Sequence, residues 1–426
     1  MRERMKEQHP ADSMNRVSYQ ILLSHQSPSE YSKLILRNGL FTGLPPEIDR
    51  FSHIDTLDLS NNQITGIDKI PVKFSLMTTL NLRNNQLTGH TFRLSRISSL
   101  KSLDLSQNKL TNIPASLRRQ KNLQKLNLSG NLLGENGRHL KVGRWPQLEE
   151  LNLNNNKITR MPKGLSRLHN LKRLTLNQNQ LTSLKGLEKL KRLRELEVNG
   201  NIVALDPRYF HTLDSLEYLH MHRCGLIYIP PEISMLANLR KLMLPDNQLT
   251  YVPPEIGPLQ KLQNLMLYKN QLVSLPDAIY DLKQLIWLDV YYNKISYISD
   301  KVSQLDRLEI LYLSFNRLHF FRATIGSMAS LHSLYAHHNQ LREIPDLSQL
   351  HQLRRLHLQH NHFTEFPPSI LSLTNLQELD LSHNLISVFP EEIRDLTNLH
   401  YIYLNNNMTE LGTAAYNRFA LALKEL

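Results

Sequence analysis

The chain has 426 residues, with 50 Lys and Arg against 38 Asp and Glu and a formal net charge of +12. Its single cysteine, Cys224, excludes a disulfide framework and is typical of a reducing compartment. Gly and Pro are too few for a disordered chain, and because no run of about 18 apolar residues occurs, we expect no membrane-spanning helix.

Residues 1–30 are polar and lack the apolar core of a secretory signal peptide. We therefore expect an N-terminal tail and cap there, and a cytoplasmic protein. Secretion without a classical signal peptide, or removal of a signal or anchor, is the alternative.

A short motif, LxxLxLxxNxL, recurs through residues 31–407 and decides the fold. Position 1 is the first apolar residue of each repeat, and position-9 residues are 23 apart almost everywhere. Positions 4 and 6 alternate, which predicts a short strand with both side chains in the core, and Asn at position 9 is suited to bonding turn backbone. The position-9 residues of the seventeen repeats are Gly39, Asn62, Asn85, Asn108, Asn131, Asn156, Asn179, Asn201, Cys224, Asn247, Asn270, Asn293, Asn316, Asn339, Asn361, Asn384 and Asn407.

The second half of many repeats contains proline, as in LPPEI at 44–48, IPPEI at 229–233 and VPPEI at 252–256. Proline fixes φ and lacks a donor, so these segments suit irregular or single-turn helical structure and would spoil a central strand. We therefore predict an α/β solenoid, with a parallel sheet on the concave face and irregular or short helical segments on the convex face.

This 23-residue pattern with LPxxI resembles the leucine-rich repeat family, in the form common in bacterial proteins and in intracellular scaffolds that bind Ras-type GTPases. The resemblance implies a curved horseshoe that binds protein partners, usually on its concave face. It implies no catalytic residues.

Residues 118–194 form a basic band, with 18 Lys and Arg against four Glu and no Asp. Such a band suits an acidic protein or a membrane surface, with solvation of a long surface as the alternative. No series of stacking aromatic residues interleaves with it, so we do not expect nucleic acid. The candidate residues for an anionic partner lie in the outer halves of their repeats: Arg118, Arg119, Lys141, Arg144, Lys163, Arg167, Lys189, Lys191 and Arg192.

Cys224 replaces the position-9 Asn of repeat nine. We expect a buried, inert thiol at a looser point of the array, with a reactive thiol as the alternative.

The outward strand positions change character at repeat nine. In repeats 1–8 they are small or polar, as at Asn81 and Ser106, whereas later repeats carry large rings in what we expect to be an exposed patch with Met243 and Met266 at its rim. Such patches are typical of binding centres, and cross-strand packing is the alternative. The candidate partner-binding residues in repeats 9–15 are Tyr218, His220, Met243, Met266, Tyr268, Trp287, Tyr291, Tyr292, Ile310, Tyr312, Phe315, Tyr335 and His337.

His338, His360 and His383 occupy position 8 of three consecutive repeats. Strand spacing predicts their rings about 5 Å apart. A metal site and a pH-sensitive contact are the functional hypotheses; we favour a solvated face and predict no metal site.

Residues 408–426 are predicted to form a capping helix, with Tyr416, Phe419 and Leu423 on one face. The sequence contains no P-loop, G-x-S-x-G or H-E-x-x-H motif, so we predict neither enzyme activity nor a cofactor.

Together these features predict a monomeric protein-protein interaction module that binds its partner on the concave face of repeats 9–15. The alternatives are a surface or secreted adhesion or effector module that binds host protein or glycan, and a scaffold that uses the basic band. The sequence does not name the partner.

Overall fold

The computed structural model describes residues 31–408, apart from 52, 69, 89–91, 95, 96, 136–139 and 144. The predicted N-terminal tail and cap, the predicted helix after residue 408, Arg144, and the side chains of Arg118 and Arg119 lie outside the described part. The chain divides into an N-terminal unit, Met1–Leu216, and a C-terminal unit, Glu217–Leu426.

Each repeat contributes one strand, which spans positions 3–5. In the N-terminal unit the strands are β1 (Lys33–Ile35), β2 (Thr56–Asp58), β3 (Thr79–Asn81), β4 (Ser102–Asp104), β5 (Lys125–Asn127), β6 (Glu150–Asn152), β7 (Arg173–Thr175) and β8 (Glu195–Glu197). In the C-terminal unit they are β9 (Tyr218–His220), β10 (Lys241–Met243), β11 (Asn264–Met266), β12 (Trp287–Asp289), β13 (Ile310–Tyr312), β14 (Ser333–Tyr335), β15 (Arg355–His357), β16 (Glu378–Asp380) and β17 (Tyr401–Tyr403). Within each unit consecutive strands pair in parallel, with equal repeat positions opposite one another.

The core follows from the alternation of side chains along each strand. Position 4 and position 6 residues point inward, so that Leu288 is 1% exposed and Val290 is fully buried. Trp287 and Asp289, at positions 3 and 5, point outward and stay partly accessible. The outward residues of positions 3, 5 and 7 form what we call the sheet face.

Between the strands the chain forms 3-10 turns rather than α-helices. Proline sets the entry angle of several of them, with φ of −68° at Pro230 and −70° at Pro253. The described 3-10 helices are Pro46–Arg50, Val72–Leu76, Ala115–Arg119, Leu165–Arg167, Leu187–Lys189, Pro207–Thr212, Pro231–Met235, Pro254–Ile256, Asp277–Asp281, Asp300–Gln304, Ala323–Ser327, Pro368–Ser372 and Glu391–Asp395. The predicted fold class, a solenoid with a parallel sheet and short helical segments, is confirmed. Within the part of the chain that the structure describes, no helix has the length and apolarity needed to cross a bilayer.

The position-9 asparagines connect successive repeats. Asn293 Nδ2 donates to the carbonyl oxygens of Leu267 and Val290, both at 3.0 Å, and its Oδ1 accepts the N–H of Leu272 at 3.0 Å. The side chain thus pairs three backbone groups that the fold hides from water. The same pattern recurs at Asn270 and Asn316.

Cys224 is buried at 1% exposure, as predicted. Its Sγ lies 3.6 Å from the carbonyl oxygen of His222, a weak bond, whereas a ladder amide makes two strong ones in addition to accepting a third. Repeat nine therefore keeps the position but has a weakly donating thiol in place of the amide.

Position 8 has a left-handed backbone in all seventeen described repeats, with φ between 52° and 67°. This turn ends each strand, and Asn or Gly adopts it at little cost. Repeats 1–8 use Asn, Gln or Gly there, whereas repeats 12 and 13 use Tyr292 and Phe315. For bulky residues this conformation costs about 1–2 kcal/mol each.

Candidate functional site

The sheet face of the C-terminal unit brings the predicted partner-binding residues together in rows. The position-3 row on β9–β15 is Tyr218, Lys241, Asn264, Trp287, Ile310, Ser333 and Arg355, and the position-5 row is His220, Met243, Met266, Asp289, Tyr312, Tyr335 and His357. Tyr268, Tyr291 and His337 lie at position 7, and Tyr292 and Phe315 at position 8. All thirteen predicted residues therefore lie on one side of β9–β14 and the turns that follow these strands.

Four rings stack across neighbouring strands in what we call the strand ladder: Trp287, Tyr312, Tyr335 and His357. The ring centroids of Trp287 and Tyr312 are 5.9 Å apart, and those of Tyr312 and Tyr335 are 4.3 Å apart with the planes only 4° from parallel. His357 meets Tyr335 edge-on at 4.9 Å and is also 3.0 Å from a carboxylate oxygen of Glu378.

A second series runs through the position-8 turns, and we call it the turn ladder: Tyr292, Phe315, His338, His360 and His383. Tyr292 lies 5.7 Å from Phe315, and the remaining neighbours stack at 4.0 Å. Tyr291 packs edge-on against Phe315 at 5.2 Å and lies 6.0 Å from Tyr292, so it adjoins the turn ladder. The two ladders and Tyr291 together form the ring patch.

The prediction of an openly exposed patch is wrong for most of these side chains. Among the thirteen predicted residues Tyr292 alone is largely exposed, at 53%, and Met266 is buried at 8%, so Met266 cannot serve as a rim. Strands about 4.8 Å apart bring rings of adjacent repeats into contact, so the rings cover one another. A partner would meet ring edges and half-covered faces.

Replacing Tyr292 by Asn is expected to raise the free energy of unfolding by about 0.5–1 kcal/mol. Relief of the left-handed backbone contributes about 1–2 kcal/mol. It exceeds the loss of the ring contacts with Tyr291 and Phe315, at 6.0 and 5.7 Å, because for a ring that is 53% exposed each contact is worth about 0.5 kcal/mol, the lower end of the usual range. The matched control is Asn84→Tyr, which puts a ring at position 8 of repeat three and should lower stability. Urea unfolding measures both variants, and a loss above about 1 kcal/mol for Tyr292→Asn contradicts strain at this position.

Two polar groups lie within the ring patch without the partners that such groups usually have. Asp289 Oδ1 accepts the N–H of Tyr291 at 3.0 Å, and burial raises the pKa of this carboxyl to about 6. The indole Nε1 of Trp287 is buried, and no group among the described residues accepts its hydrogen. The sequence analysis missed Asp289, although Tyr in place of Ser two residues later distinguishes it from other position-5 Asp residues.

The predicted histidine column exists and is tighter than strand spacing alone implies. His338, His360 and His383 stack face to face at 4.0 Å, with planes within 13° of each other. Stacked imidazoles direct their nitrogens away from a common point, and no group of three His, Cys, Asp or Glu is placed for metal binding within the described ranges. Burial and the neighbouring imidazoles lower the pKa of His338 and of His360. Burial likewise lowers the pKa of His337 to about 4.

The corresponding face of the N-terminal unit pairs its polar groups internally. Asp104 Oδ1 accepts from the backbone N–H and the hydroxyl of Ser106, at 2.8 and 2.6 Å, and its Oδ2 accepts from Asn127 at 3.0 Å. Asp58 is held in the same way by Ser60, with Arg37 and Asn81 as further donors. These carboxylates have no need of a partner from outside.

Six of the predicted anionic-partner residues are described and exposed: Lys141, Lys163, Arg167, Lys189, Lys191 and Arg192. Lys163 and Lys189 line one open cleft together with Arg160, Lys185 and Glu188. On the sheet face, by contrast, Lys125 and Lys172 are paired with Glu150 and Glu149 at 2.7 and 2.9 Å. The uncompensated part of the basic band therefore lies away from the sheet face.

Comparison with known proteins agrees with this architecture. One leucine-rich repeat profile matches residues 146–203, 237–295 and 351–408, and a second matches residues 53–74 and 99–119. A leucine-rich repeat protein of Leptospira interrogans is 33% identical, with a TM-score of 0.80, over 90% of this chain and 97% of that chain.

Two further solved structures are more distant. The ectodomain of the Arabidopsis thaliana receptor kinase GASSHO1/SCHENGEN3, solved with Casparian strip integrity factor 2, is 28% identical over 88% of this chain and 56% of that chain, with a TM-score of 0.57. A Listeria monocytogenes internalin is 21% identical over 81% of this chain and 93% of that chain, with a TM-score of 0.59, and shares the fold alone. No curated protein sequence matches the chain.

Proposed function

Because the chain belongs to the leucine-rich repeat family, whose members are protein-interaction modules, we propose that it binds a protein partner through the ring patch of the C-terminal unit. The plant relative solved with its peptide ligand supports a protein partner in general. It does not identify the partner of this chain.

The observation that carries the proposal is the placement of Tyr292 and Phe315. Both occupy left-handed turns, with φ of 56° and 54°, that Asn fills at the same position elsewhere in the array. Folding alone favours Asn there, and strained positions of this kind concentrate at functional sites. Repeats 1–8 build the same strands and turns without any ring at these positions, so rings are not needed for the fold.

The test is capture of a partner by the immobilised protein, compared across three forms. The forms are the unaltered chain, a ring variant with Trp287→Ala and Phe315→Ala, and a matched variant with Asn81→Ala and Ser106→Ala on the N-terminal sheet face. A protein that the first and third forms retain and the ring variant loses supports the proposal. Retention by all three forms contradicts it.

The same three forms on a glycan array address the adhesion alternative, since aromatic rings also stack on sugars. Sugar binding that depends on Trp287 and Phe315, together with no ring-dependent protein capture, would replace the protein partner by a glycan. This second reading is favoured only by the exposed ring of Tyr292.

The basic band predicts a separate, salt-sensitive interaction. Anionic liposomes are expected to bind the protein at low salt and release it at high salt, because exposed charges are screened over about 10 Å at 0.1 M. Lys163→Glu with Lys189→Glu, in the cleft, should abolish this binding, whereas the control Lys261→Glu with Lys283→Glu should retain it. Binding that is indifferent to salt, or lost equally in both pairs, is evidence against a role for the band.

A further inference from the structure

Asp289 differs from the other aspartates at position 5 of the repeats. Asp58, Asp104 and Asp380 each accept from both the N–H and the hydroxyl of a serine two residues later. Two residues after Asp289 the serine is replaced by Tyr291. The carboxylate still accepts the backbone N–H of Tyr291 at 3.0 Å, but position 7 no longer provides a serine hydroxyl as a second donor. The array therefore contains one position-5 carboxylate whose usual local donor has been replaced by a ring.

The surroundings of Asp289 are aromatic on several sides. Trp287 precedes it on β12, and Tyr291 follows it in the turn after β12. Tyr312 lies directly opposite on β13, and Met266 lies opposite on β11. Burial raises the pKa of Tyr312 to about 12, so its hydroxyl stays protonated and adds no charge. An ionised carboxylate among such rings forms a polar centre within an apolar frame.

Cations compensate the neighbouring acidic residues of this sheet face, but not Asp289. Arg223 contacts Asp246 at 2.5 Å, and Arg355 lies 3.5 Å from a carboxylate oxygen of Glu378. Among the residues that the structure describes, no Lys, Arg or His forms an ion pair with Asp289, and its pKa responds to burial and the Tyr291 N–H alone. Residues 217–408 also carry 18 Asp and Glu against 15 Lys and Arg, so this unit is mildly acidic.

We propose that Asp289 and the rings beside it form a subsite for an arginine side chain of the protein partner. A guanidinium forms two parallel hydrogen bonds with a carboxylate and stacks on aromatic faces. Trp287, which ends the strand ladder and among the described residues stacks only on Tyr312, provides such a face beside Asp289. Lysine offers a point charge that does neither as well. This subsite rests on the proposed function, because it specifies the chemistry of the partner at the ring patch.

The experiment titrates acetylated Gly-Gly-Arg-Gly-Gly amide into the protein and follows tryptophan fluorescence. The chain has two Trp, and Trp145 is fully buried in the other unit, so a response is assigned to Trp287 and checked with Trp287→Phe. We expect the Arg peptide to bind at least tenfold more tightly than the same peptide with citrulline, which has the shape of arginine without its charge. Asp289→Asn should remove this difference, and the matched control Asp380→Asn should retain it.

The pH dependence of the affinity for the Arg peptide provides a second measurement. The affinity for the Arg peptide should be constant above the pKa of Asp289, about 6, and fall as pH decreases through that value, because a protonated carboxyl cannot pair with the cation. The titratable groups whose pKa values respond to this carboxylate are Tyr268 and Tyr312, and both hydroxyls remain protonated throughout. The variant Asp289→Asn should show no step near pH 6.

Three results overturn the subsite. The first is a citrulline peptide that binds as tightly as the Arg peptide, and the second is the same peptide with lysine that does so. The third is Asp289→Asn leaving the preference for the Arg peptide over the citrulline peptide intact. A thermal melt of Asp289→Asn shows that loss of binding is not loss of fold. The raised pKa means that ionised Asp289 destabilises the folded state as pH rises through about 6, so this variant should melt no lower than the unaltered chain at neutral pH. If the subsite fails while Trp287→Ala still abolishes partner capture, the proposed function stands without it.

Discussion

Replacing Trp287 by Ala is expected to weaken binding of the protein partner by about 2 kcal/mol or more, roughly thirtyfold in Kd. Trp287 is half-buried at the end of the strand ladder, where its ring stacks on Tyr312. A partner that covers the remaining accessible part of this ring gains apolar contact area. Tyr312→Ala should have a similar effect, since its ring stacks on both Trp287 and Tyr335.

The effect of Trp287→Ala on folding should be smaller and separable. Loss of one ring pair is worth about 0.5–1.5 kcal/mol, and the buried pair Leu288 and Leu311 continues to hold β12 and β13 together. Isothermal titration on the folded protein measures Kd, and urea unfolding measures stability. Asn81→Ala should leave Kd unchanged. If Trp287→Ala lowers stability while the folded protein binds at full affinity, the rings are sheet packing and the ring patch is not the site.

Replacing Asn293 by Ala is expected to lower the free energy of unfolding by about 1–3 kcal/mol. The carbonyl oxygens of Leu267 and Val290 and the N–H of Leu272 lose their partner in a site that is closed to water. Because contacts in a repeat array are local, the loss should appear first as faster hydrogen exchange in residues 262–316.

Cys224→Asn is the matched comparison, because it restores the common residue at the same position. It should leave stability unchanged or raise it, since a thiol is a weaker hydrogen-bond donor than the amide that occupies this position in most repeats. Equal losses in Cys224→Asn and Asn293→Ala would contradict the assignment of Cys224 to position 9.

The fold was predictable because its signals are periodic. The 23-residue spacing of Asn residues recurs along the chain, and so does the alternation that places Leu288 and Val290 in the core. A feature that recurs in neighbouring repeats can be recognised from the sequence. Strand register followed as well, so the rows that contain Trp287 and Tyr312 were assigned to the correct face. Local rules suffice for such features, since each repeat contacts only adjacent ones.

Other features needed side-chain geometry that no spacing rule supplies. Met266 and Tyr292 are both at outward positions, yet they differ greatly in exposure, because ring packing with neighbours decides it. The left-handed backbone at Phe315 could not be inferred from the sequence, because position 8 is occupied by many different residue types. Asp289 was overlooked because an aspartate at position 5 is ordinary until the donor at position 7 is checked.

Because the strands of the C-terminal unit pair in equal register, the position-5 row has one side chain per repeat at a constant spacing. Neighbouring residues of this row, such as Asp289, Tyr312 and Tyr335, are about 4.8 Å apart, whereas an extended chain presents side chains on one side about every 6.6 Å. Four intervals of the row, about 19 Å, nearly equal three such steps, about 20 Å. A straight segment that lies across the strands therefore coincides with the row best at every fourth repeat, and it can be contacted at two such points without matching the side chains between them.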